Sequence, residues 1–280
     1  DGSKLAQLLA YFDNVETEHD RDLIKAMFMT PAWGGLPGTR PAVVVMACDR
    51  GCGKSTLTDA AAELFGGALE LDPNPRAQED KIVSRLLSPA ALERRICRMD
   101  NIKATVSSGL VESLITAPRV SGHRLYHGDA TRSNRMTWLL TGNTMRLSRD
   151  IADRSFIIRL TRPQPRPGWR EEVFQFIRDH RHEILADVVQ ALKAPVVSAP
   201  AYDRWQSWVD GVLRKVSPNA PDVVAQNQRR RDSNDTDLEE SEMIRDAVET
   251  SPEVNWASTG HAFIPSTKMT AIINEALGEH

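Results

Sequence analysis

The fold is decided by one stretch, Ala42-Val-Val-Val-Met-Ala-Cys-Asp-Arg-Gly-Cys-Gly-Lys-Ser-Thr56. Its apolar run, residues 43–47, predicts a buried parallel strand, because such strands are apolar on both faces. Gly51 and Gly53 then predict a turn, and an Ala-rich helical run follows. Strand, glycine turn and helix start together form the setting that a phosphate-binding loop requires.

The residue types in this loop suit a nucleoside triphosphate. Backbone N–H groups of a glycine turn face an anion readily, and the helix start adds the positive end of its dipole. Lys54 would reach the β- and γ-phosphates, and Ser55 would ligate Mg²⁺. The usual pattern is G-x-x-x-x-G-K-[ST], whereas Cys48 stands at its first position, so an ordinary strand–turn–helix is the alternative. The predicted binding residues are Asp49, Arg50, Gly51, Cys52, Gly53, Lys54, Ser55 and Thr56.

Bulk composition limits the class of protein. The 280 residues are 41% hydrophobic and 26% charged, which is typical of a soluble globular chain with one ordinary domain and a smaller one. No apolar run approaches the ~20 residues that span a bilayer, so we expect no membrane partner. Three cysteines without metal-ligand spacing favour a cytoplasmic location. The net charge of −3 means that any nucleic-acid contact must come from a local patch.

Apolar runs alternate with helical patterns along the chain, which predicts a parallel α/β sheet. The predicted strands are 43–47, 68–71, 95–101, 136–141 and 156–160. Asp100 ends the third strand, where a second acid would hold the water shell of Mg²⁺. Because Arg98 interrupts that run, a surface helix is the alternative there. Near the N-terminus, Asp20 is the predicted N-cap of a helix over 20–29.

A hairpin is predicted between Arg119 and Arg135, since alternating residues flank His127-Gly-Asp129. It is rich in cations, and its candidate nucleic-acid contacts are Arg119, His123, Arg124, Arg132 and Arg135. Arginine contacts to a phosphate backbone do not depend on base sequence and are sensitive to salt. The alternative is a solubilising, partly ion-paired hairpin.

The order of these motifs resembles AAA+ ATPases, and more closely the superfamily 3-like helicase modules of phage and prophage primase–helicases. The resemblance is carried by Asp100-Asn-Ile-Lys103, Leu114-Ile-Thr-Ala117, Trp138-Leu-Leu-Thr-Gly-Asn143 and Asp153-Arg154 before the last strand. It implies an AAA+ P-loop core with a parallel sheet, flanking helices and a smaller, mainly helical C-terminal region. The expected segments are an N-terminal helical part (1–32), the ATPase core (33–163), a helical lid or linker (164–200) and a C-terminal helical or winged-helix region (201–280).

The resemblance also implies roles for single residues. Asn143 would be the sensor that orients the attacking water and contacts the γ-phosphate. Arg149 and Arg154, the latter preferred, would be candidates for an arginine finger that acts on a neighbouring subunit's nucleotide. The alternative is that either one pairs with Asp150 or Asp153 on a solvated face. An arginine finger in trans implies a homo-oligomeric ring, which we expect to be a hexamer.

The implied function is an ATP-hydrolysing, Mg²⁺-dependent motor, a phage-type replicative DNA helicase module acting on single-stranded DNA. A primase domain or a replication or mobile-element partner would accompany it. A loader or switch ATPase that remodels a protein or nucleoprotein is one alternative, and a nucleotide-dependent interaction module is another. Asn101 stands where AAA+ enzymes usually place a water-polarising Glu, and an amide cannot accept a proton. Either Asp72 or Glu112 serves instead, or hydrolysis is slow.

Overall fold

The computed structural model describes most of the chain, with gaps. The described residues are 2–47, 49–72, 79–103, 106–124, 128–143, 145–164, 166–196, 204–233, 243–244, 246–251, 254 and 264–277. The sequence also predicts an acidic helix over about 236–249, and part of that range lies outside the described residues.

A parallel sheet of five strands forms the centre, in the spatial order β2-β3-β6-β1-β7. The strands are β1 (Ala42–Ala47), β2 (Ala68–Glu70), β3 (Ile96–Ile102), β4 (Arg119–Arg124), β5 (Gly128–Ser133), β6 (Thr137–Gly142) and β7 (Ser155–Leu160). All residues of β1 and β6 are buried, as expected for strands covered on both faces. The predicted parallel α/β fold is therefore confirmed, and the surface-helix alternative for 95–101 is wrong.

Helices precede the strands, connect them and follow them along the chain. They are α1 (Lys4–Leu9), α2 (Glu18–Met29), a 3₁₀ turn (Thr30–Ala32), α3 (Lys54–Leu64), α4 (Glu79–Leu86), α5 (Pro89–Leu92), α6 (Gly109–Thr116), α7 (Arg149–Asp153), α8 (Trp169–Lys193), α9 (Gln206–Trp208), a π-helical turn (Val209–Leu213), α10 (Arg214–Val216), α11 (Ala220–Asp232) and α12 (Ser266–Leu277). None of the helices in the described ranges is long and apolar enough to cross a bilayer.

The N-cap prediction for α2 is wrong. Thr17 caps this helix, and Asp20 is the third helical residue, whose carboxylate accepts the backbone N–H of Thr17 at 3.0 Å. The pair forms a capping box, in which the acid three residues on satisfies the cap's own N–H. Asp20 is fully buried and also binds the guanidinium of Arg230 on α11.

One hydrophobic core joins the ends of the described chain to the sheet. It runs from Leu5 in α1 to Val223 in α11 and includes both faces of the sheet. The open edge of β7 is covered by side chains: Asn227 accepts the N–H of Ile157 at 2.8 Å and donates to the carbonyl of Ser155 at 3.0 Å. Covered edges keep a strand from pairing with other chains.

The hairpin is confirmed as a separate antiparallel ribbon of β4 and β5, with Arg119 opposite Ser133 and Arg124 opposite Gly128. Its tip, residues 125–127, lies outside the described residues. The ribbon lies against α4, because a Cβ at Gly122 would come within 2.4 Å of Val83. It enters β6 directly, so its base lies at the amino-terminal edge of the sheet.

Candidate nucleotide-binding site

The predicted phosphate loop connects β1 to α3 at the carboxyl edge of the sheet. Gly51 and Gly53 adopt φ values of +79° and +82°, the left-handed region that glycine enters without strain. No side chain caps the start of α3, whose N-cap is Gly53. The first backbone N–H groups of the helix are thus available to an anion, as a phosphate loop requires. Cys48 lies outside the described residues.

Lys54 points across the edge of the sheet to the predicted sensor residue. Its Nζ donates to Oδ1 of Asn143 at 2.5 Å and to the carbonyl of Asp49 at 3.3 Å. Burial lowers the pKa of Lys54, while the nearby charges of Cys52 and Asp100 oppose that shift. The structure therefore brings together a lysine from the loop and an amide from the end of β6.

Asp100 is held beside Ser55 on the other side of the loop. The Ser55 hydroxyl donates to Oδ1 of Asp100 at 3.0 Å, and the Thr141 hydroxyl binds the same carboxylate oxygen. The backbone N–H of Asn101 donates to the Thr141 hydroxyl at 2.9 Å, and Asn101 has a φ of +60°. The pairing of β3 with β6 is irregular at this point, between Met99 and Ile102. Asp100 lies within this irregular stretch, and its carboxylate contacts the loop.

The donor set fits Mg²⁺. A serine hydroxyl and a carboxylate oxygen lie within 3.0 Å of each other at the loop, and oxygen ligands are those that Mg²⁺ prefers. Mg²⁺ commonly keeps several waters and takes only one or two carboxylates from the protein. Within the described residues no group of three or more His, Cys, Asp or Glu could hold a metal ion.

The spatial order of the strands in the sheet could not be predicted from the sequence. β6, the fourth predicted strand along the chain, lies between β1 and β3 in the sheet. Because β6 is the middle strand, Asn143 and Thr141 both lie between Lys54 and Asp100. Thr141 is the site residue that the sequence analysis missed, although it belongs to the quoted Thr141-Gly-Asn143 segment.

The contacts of Arg98 explain why a charged residue interrupts the apolar run of β3. It forms ion pairs with Asp59 of α3 and, at 2.9 Å, with Glu70 of β2. Arg170 of α8 binds the other oxygen of Asp59 at 2.8 Å and the Thr56 hydroxyl at 3.2 Å. These contacts tie β3, which carries Asp100, to the helix that carries Lys54 and Ser55.

The two candidate substitutes for the water-polarising acid lie on different elements. Glu112 accepts the hydroxyl of Ser148 at 2.8 Å, at the start of α7. Asp72 follows β2 at the far edge of the sheet. In the described part of the chain, the carboxylate in contact with the loop hydroxyl is that of Asp100.

The two candidate finger residues differ in their surroundings. Arg154 donates to the Asp150 carboxylate and to its carbonyl, each at 2.6 Å, and only 16% of its side chain is exposed. This hydrogen bond lowers the pKa of Asp150. Arg149, at the start of α7, is exposed. The ion pair with Asp150 weighed as an alternative for Arg154 is therefore the arrangement seen.

The hairpin cations also fall into two groups. Arg119 and His123 are exposed, with the His123 ring 3.3 Å from Asp129. Arg132 and Arg135 are half-buried and bind backbone carbonyls, Arg132 that of Leu86 at 2.8 Å. Arg124 is described only in its backbone, in β4. Three of the five predicted contacts, Arg119, Arg132 and Arg135, thus lie at the base of the hairpin.

A cavity of about 680 Å³ borders the phosphate loop at the same edge of the sheet. Its apolar floor includes Met46 and Leu160, and Asp49, Cys52 and Asn143 line the side toward the loop. This volume lies in the range of small-molecule sites, so the loop adjoins space for a ligand larger than a phosphate.

Comparisons with known proteins give structural neighbours only. No family model matches the sequence, and a search of curated proteins finds no match. The apo C-terminal region of NrS-1 is similar with a TM-score of 0.48 and 15% identity, over 99% of this chain and 66% of that one. JCV helicase is similar with a TM-score of 0.41 and 14% identity, over 82% of this chain and 60% of that one. This chain spans about two thirds or less of the length of both, and a helicase is among its structural neighbours.

Proposed function

We propose that this chain is an ATP-hydrolysing, Mg²⁺-dependent AAA+ motor, a phage-type replicative DNA helicase module acting as a hexameric ring on single-stranded DNA. The observation that carries the proposal is the pair of contacts at the phosphate loop. Lys54 meets Asn143 at 2.5 Å, and Ser55 meets Asp100 at 3.0 Å, all at one edge of a parallel sheet.

Each of these groups has a chemical task in phosphoryl transfer. The loop N–H groups and Lys54 bind the β- and γ-phosphates, and Asn143 orients the attacking water. Ser55 and Asp100 would hold Mg²⁺, which when bound neutralises charge on the phosphates. Thr141 keeps the Asp100 carboxylate in place through its hydroxyl. Lys54 already touches the Asn143 amide, so a γ-phosphate would take over an existing contact of the lysine.

We propose the ring because an arginine finger acts on the nucleotide of a neighbouring subunit. An arginine from a neighbouring subunit would stabilise the charge on the transferring phosphoryl group, which is worth on the order of 10³-fold or more in rate. Arg149 is exposed and so is the better placed candidate, whereas Arg154 would first have to leave Asp150.

A subunit-mixing experiment tests the finger. Arg149→Ala and Arg154→Ala should each leave nucleotide binding intact, and the true finger variant should lose hydrolysis steeply. Mixing that variant with Lys54→Ala subunits should restore activity at interfaces that pair an intact loop with an intact arginine. Confirmed mixed oligomers without any recovery would contradict a finger in trans.

Strand separation tests the motor itself. The proposal predicts unwinding of a forked DNA duplex that requires hydrolysable ATP, and rings in negative-stain images with a non-hydrolysable analogue. Images with and without single-stranded DNA show whether the ring forms around the strand.

A loader or switch ATPase is the second candidate. The observation that favours it is the position after Asp100, where Asn101 offers no proton acceptor, while Glu112 is engaged with Ser148. A switch tolerates slow hydrolysis. Hydrolysis stimulated by a protein partner without strand separation would support this candidate over the helicase.

A further inference from the structure

Four arginines gather at the amino-terminal edge of the sheet, opposite the phosphate loop. We call Arg40, Arg95, Arg132 and Arg135 the arginine cluster. Arg40 lies two residues before β1, Arg95 directly before β3 and Arg135 two residues before β6. Because parallel strands share their amino-terminal edge, these three positions lie side by side across adjacent strand starts. Arg132 is in β5, at the base of the hairpin.

Two members of the cluster, Arg40 and Arg135, are joined by a shared contact. Arg40 donates to the carbonyls of Gly35 at 3.4 Å and Leu36 at 3.2 Å, and also binds that of Trp33. Arg135 donates to the same Gly35 carbonyl at 3.3 Å. Two guanidinium groups therefore share one backbone oxygen.

No carboxylate neutralises this charge among the described residues. The hydrogen-bond acceptors of Arg40 and Arg135 are backbone carbonyls, and those of Arg132 are the Leu86 carbonyl and the Met136 sulfur. Elsewhere in the described chain buried arginines do meet acids: Arg98 pairs with Asp59 and Arg230 with Asp20. Buried charges are normally paired, so the buried Arg40 and the half-buried Arg132 and Arg135, all on neutral acceptors, call for an external anion.

Two further observations show that the charge is crowded. The Arg40 side chain is 2% exposed, and its buried Nε has no partner in the described structure. Burial, followed by the charges of Arg135 and Arg95, lowers the pKa of Arg40 to about 10. Burial and the charge of Arg95 also lower the pKa of Arg132. With a pKa of about 10, Arg40 remains charged at neutral pH.

We infer that the arginine cluster binds the phosphate backbone of a single nucleic-acid strand at the base of the hairpin. This inference rests on the proposed function for the choice of ligand. Arg95 is exposed and Arg135 half-buried, so these two make the contacts, while Arg40 lies beneath them and fixes the loop over 33–36. The starts of β3, β6 and β1 span roughly 10 Å, more than a single phosphate group covers.

The inference differs from a grip along the hairpin ribbon. It assigns Arg40 and Arg95, which lie outside the hairpin, to the nucleic-acid site. It also gives Arg132 and Arg135 a place at the junction of hairpin and sheet rather than on a free strand. Nucleic acid would then sit at the edge of the sheet opposite the nucleotide, with the parallel strands between the two ligands.

The test is the affinity for a fluorescent oligo(dT) strand at several salt concentrations. The double variant Arg95→Ala/Arg135→Ala should bind on the order of 10- to 100-fold more weakly, with a log–log salt slope reduced by about 1.4, because two phosphate contacts are lost at ~0.7 each. Arg178→Ala, an exposed arginine on α8 that contacts Gln175, is the matched control and should bind like wild type. Arg95→Ala alone removes an exposed side chain and serves if the double variant is unstable.

The outcomes separate the two proposals. The inference would be overturned if the unmodified protein binds oligo(dT) and both Arg95 variants bind it with the same affinity and the same salt slope. The proposed motor function would not be affected by that result. Wild type that hydrolyses ATP but binds no oligo(dT) would overturn both the inference and the helicase. Cluster-dependent DNA binding without ATP hydrolysis would support the inference and reject the motor. If polyglutamate displaces oligo(dT) equally well, the cluster recognises polyanions in general and the nucleic-acid assignment is wrong.

Discussion

The two edges of the central sheet handle charge in opposite ways. At the carboxyl edge, Lys54 has an amide partner and Asp100 has two hydroxyl partners, so the groups that await phosphate and metal are already positioned. At the amino edge, Arg40, Arg132 and Arg135 donate to uncharged acceptors. A preorganised site of mixed polarity suits chemistry on a small ligand. A crowded site of one sign suits an extended anion, whose binding is governed by salt.

The largest effect is expected from Lys54→Ala. The phosphate loop then lacks the side-chain cation that binds the β- and γ-phosphates. Nucleotide affinity should fall roughly 100-fold or more, since breaking a charge-assisted contact costs several kcal/mol. Isothermal titration with ATP measures this, and Lys193→Ala, an exposed lysine at the end of α8, is the control. Near wild-type affinity in a folded Lys54→Ala protein would reject the phosphate-loop assignment.

Asp100→Asn should separate metal use from nucleotide binding. The amide keeps the shape of the side chain but loses the charge that attracts Mg²⁺. We expect Mg²⁺-dependent hydrolysis to fall on the order of 100-fold, while ATP binding in the presence of a chelator is retained. Asp222→Asn, an exposed acid in the first turn of α11, is the control. Unchanged dependence of the rate on Mg²⁺ concentration would remove Asp100 from the site.

The pH dependence of nucleotide affinity should reflect the lowered pKa of the buried Lys54 amine. Its protonated form binds phosphate, and burial lowers its pKa below the usual 10.5. Affinity should therefore begin to fall at a lower pH than for an exposed lysine, by about tenfold per pH unit once the amine is deprotonated. Lys54→Arg stays charged and should show no such fall. An identical alkaline profile for both proteins would contradict this account.

The smallest expected effect is stabilisation by inorganic sulfate, which binds only the folded state. A gain of ~1 kcal/mol corresponds to a rise in Tm of roughly 2–4 °C for a chain of this size. The rise should persist in Lys54→Ala and shrink in Arg95→Ala/Arg135→Ala, if the amino edge is the stronger anion site. Differential scanning fluorimetry measures it, and the reverse pattern would place the main anion site at the phosphate loop.

The carboxyl edge could be predicted well from sequence because its signals are local. The loop lies within fifteen consecutive residues, and the apolar runs of β3 and β6 are each followed by a polar side chain, Asp100 or Asn143, that contacts the loop in the fold. Thr141 was missed because a hydroxyl inside an apolar strand gives no pattern of its own.

The amino edge could not be predicted, since its members are scattered. Arg40, Arg95 and Arg135 each precede a different strand, and only the spatial order of the strands brings them together. Asp20 shows the same limit of prediction from sequence for a single residue. Its place as the third helical residue depends on Thr17 adopting the cap conformation, and its burial depends on Arg230, which is 210 residues away in sequence.

The most direct test of the central claim is the rate of ATP hydrolysis with and without single-stranded DNA, for wild type and Lys54→Ala side by side. The account predicts Mg²⁺-dependent hydrolysis in wild type that rises when oligo(dT) is added, and none in Lys54→Ala under either condition. A wild-type rate that oligo(dT) leaves unchanged, or hydrolysis that survives in folded Lys54→Ala protein, would contradict the assignment of this chain as a DNA motor.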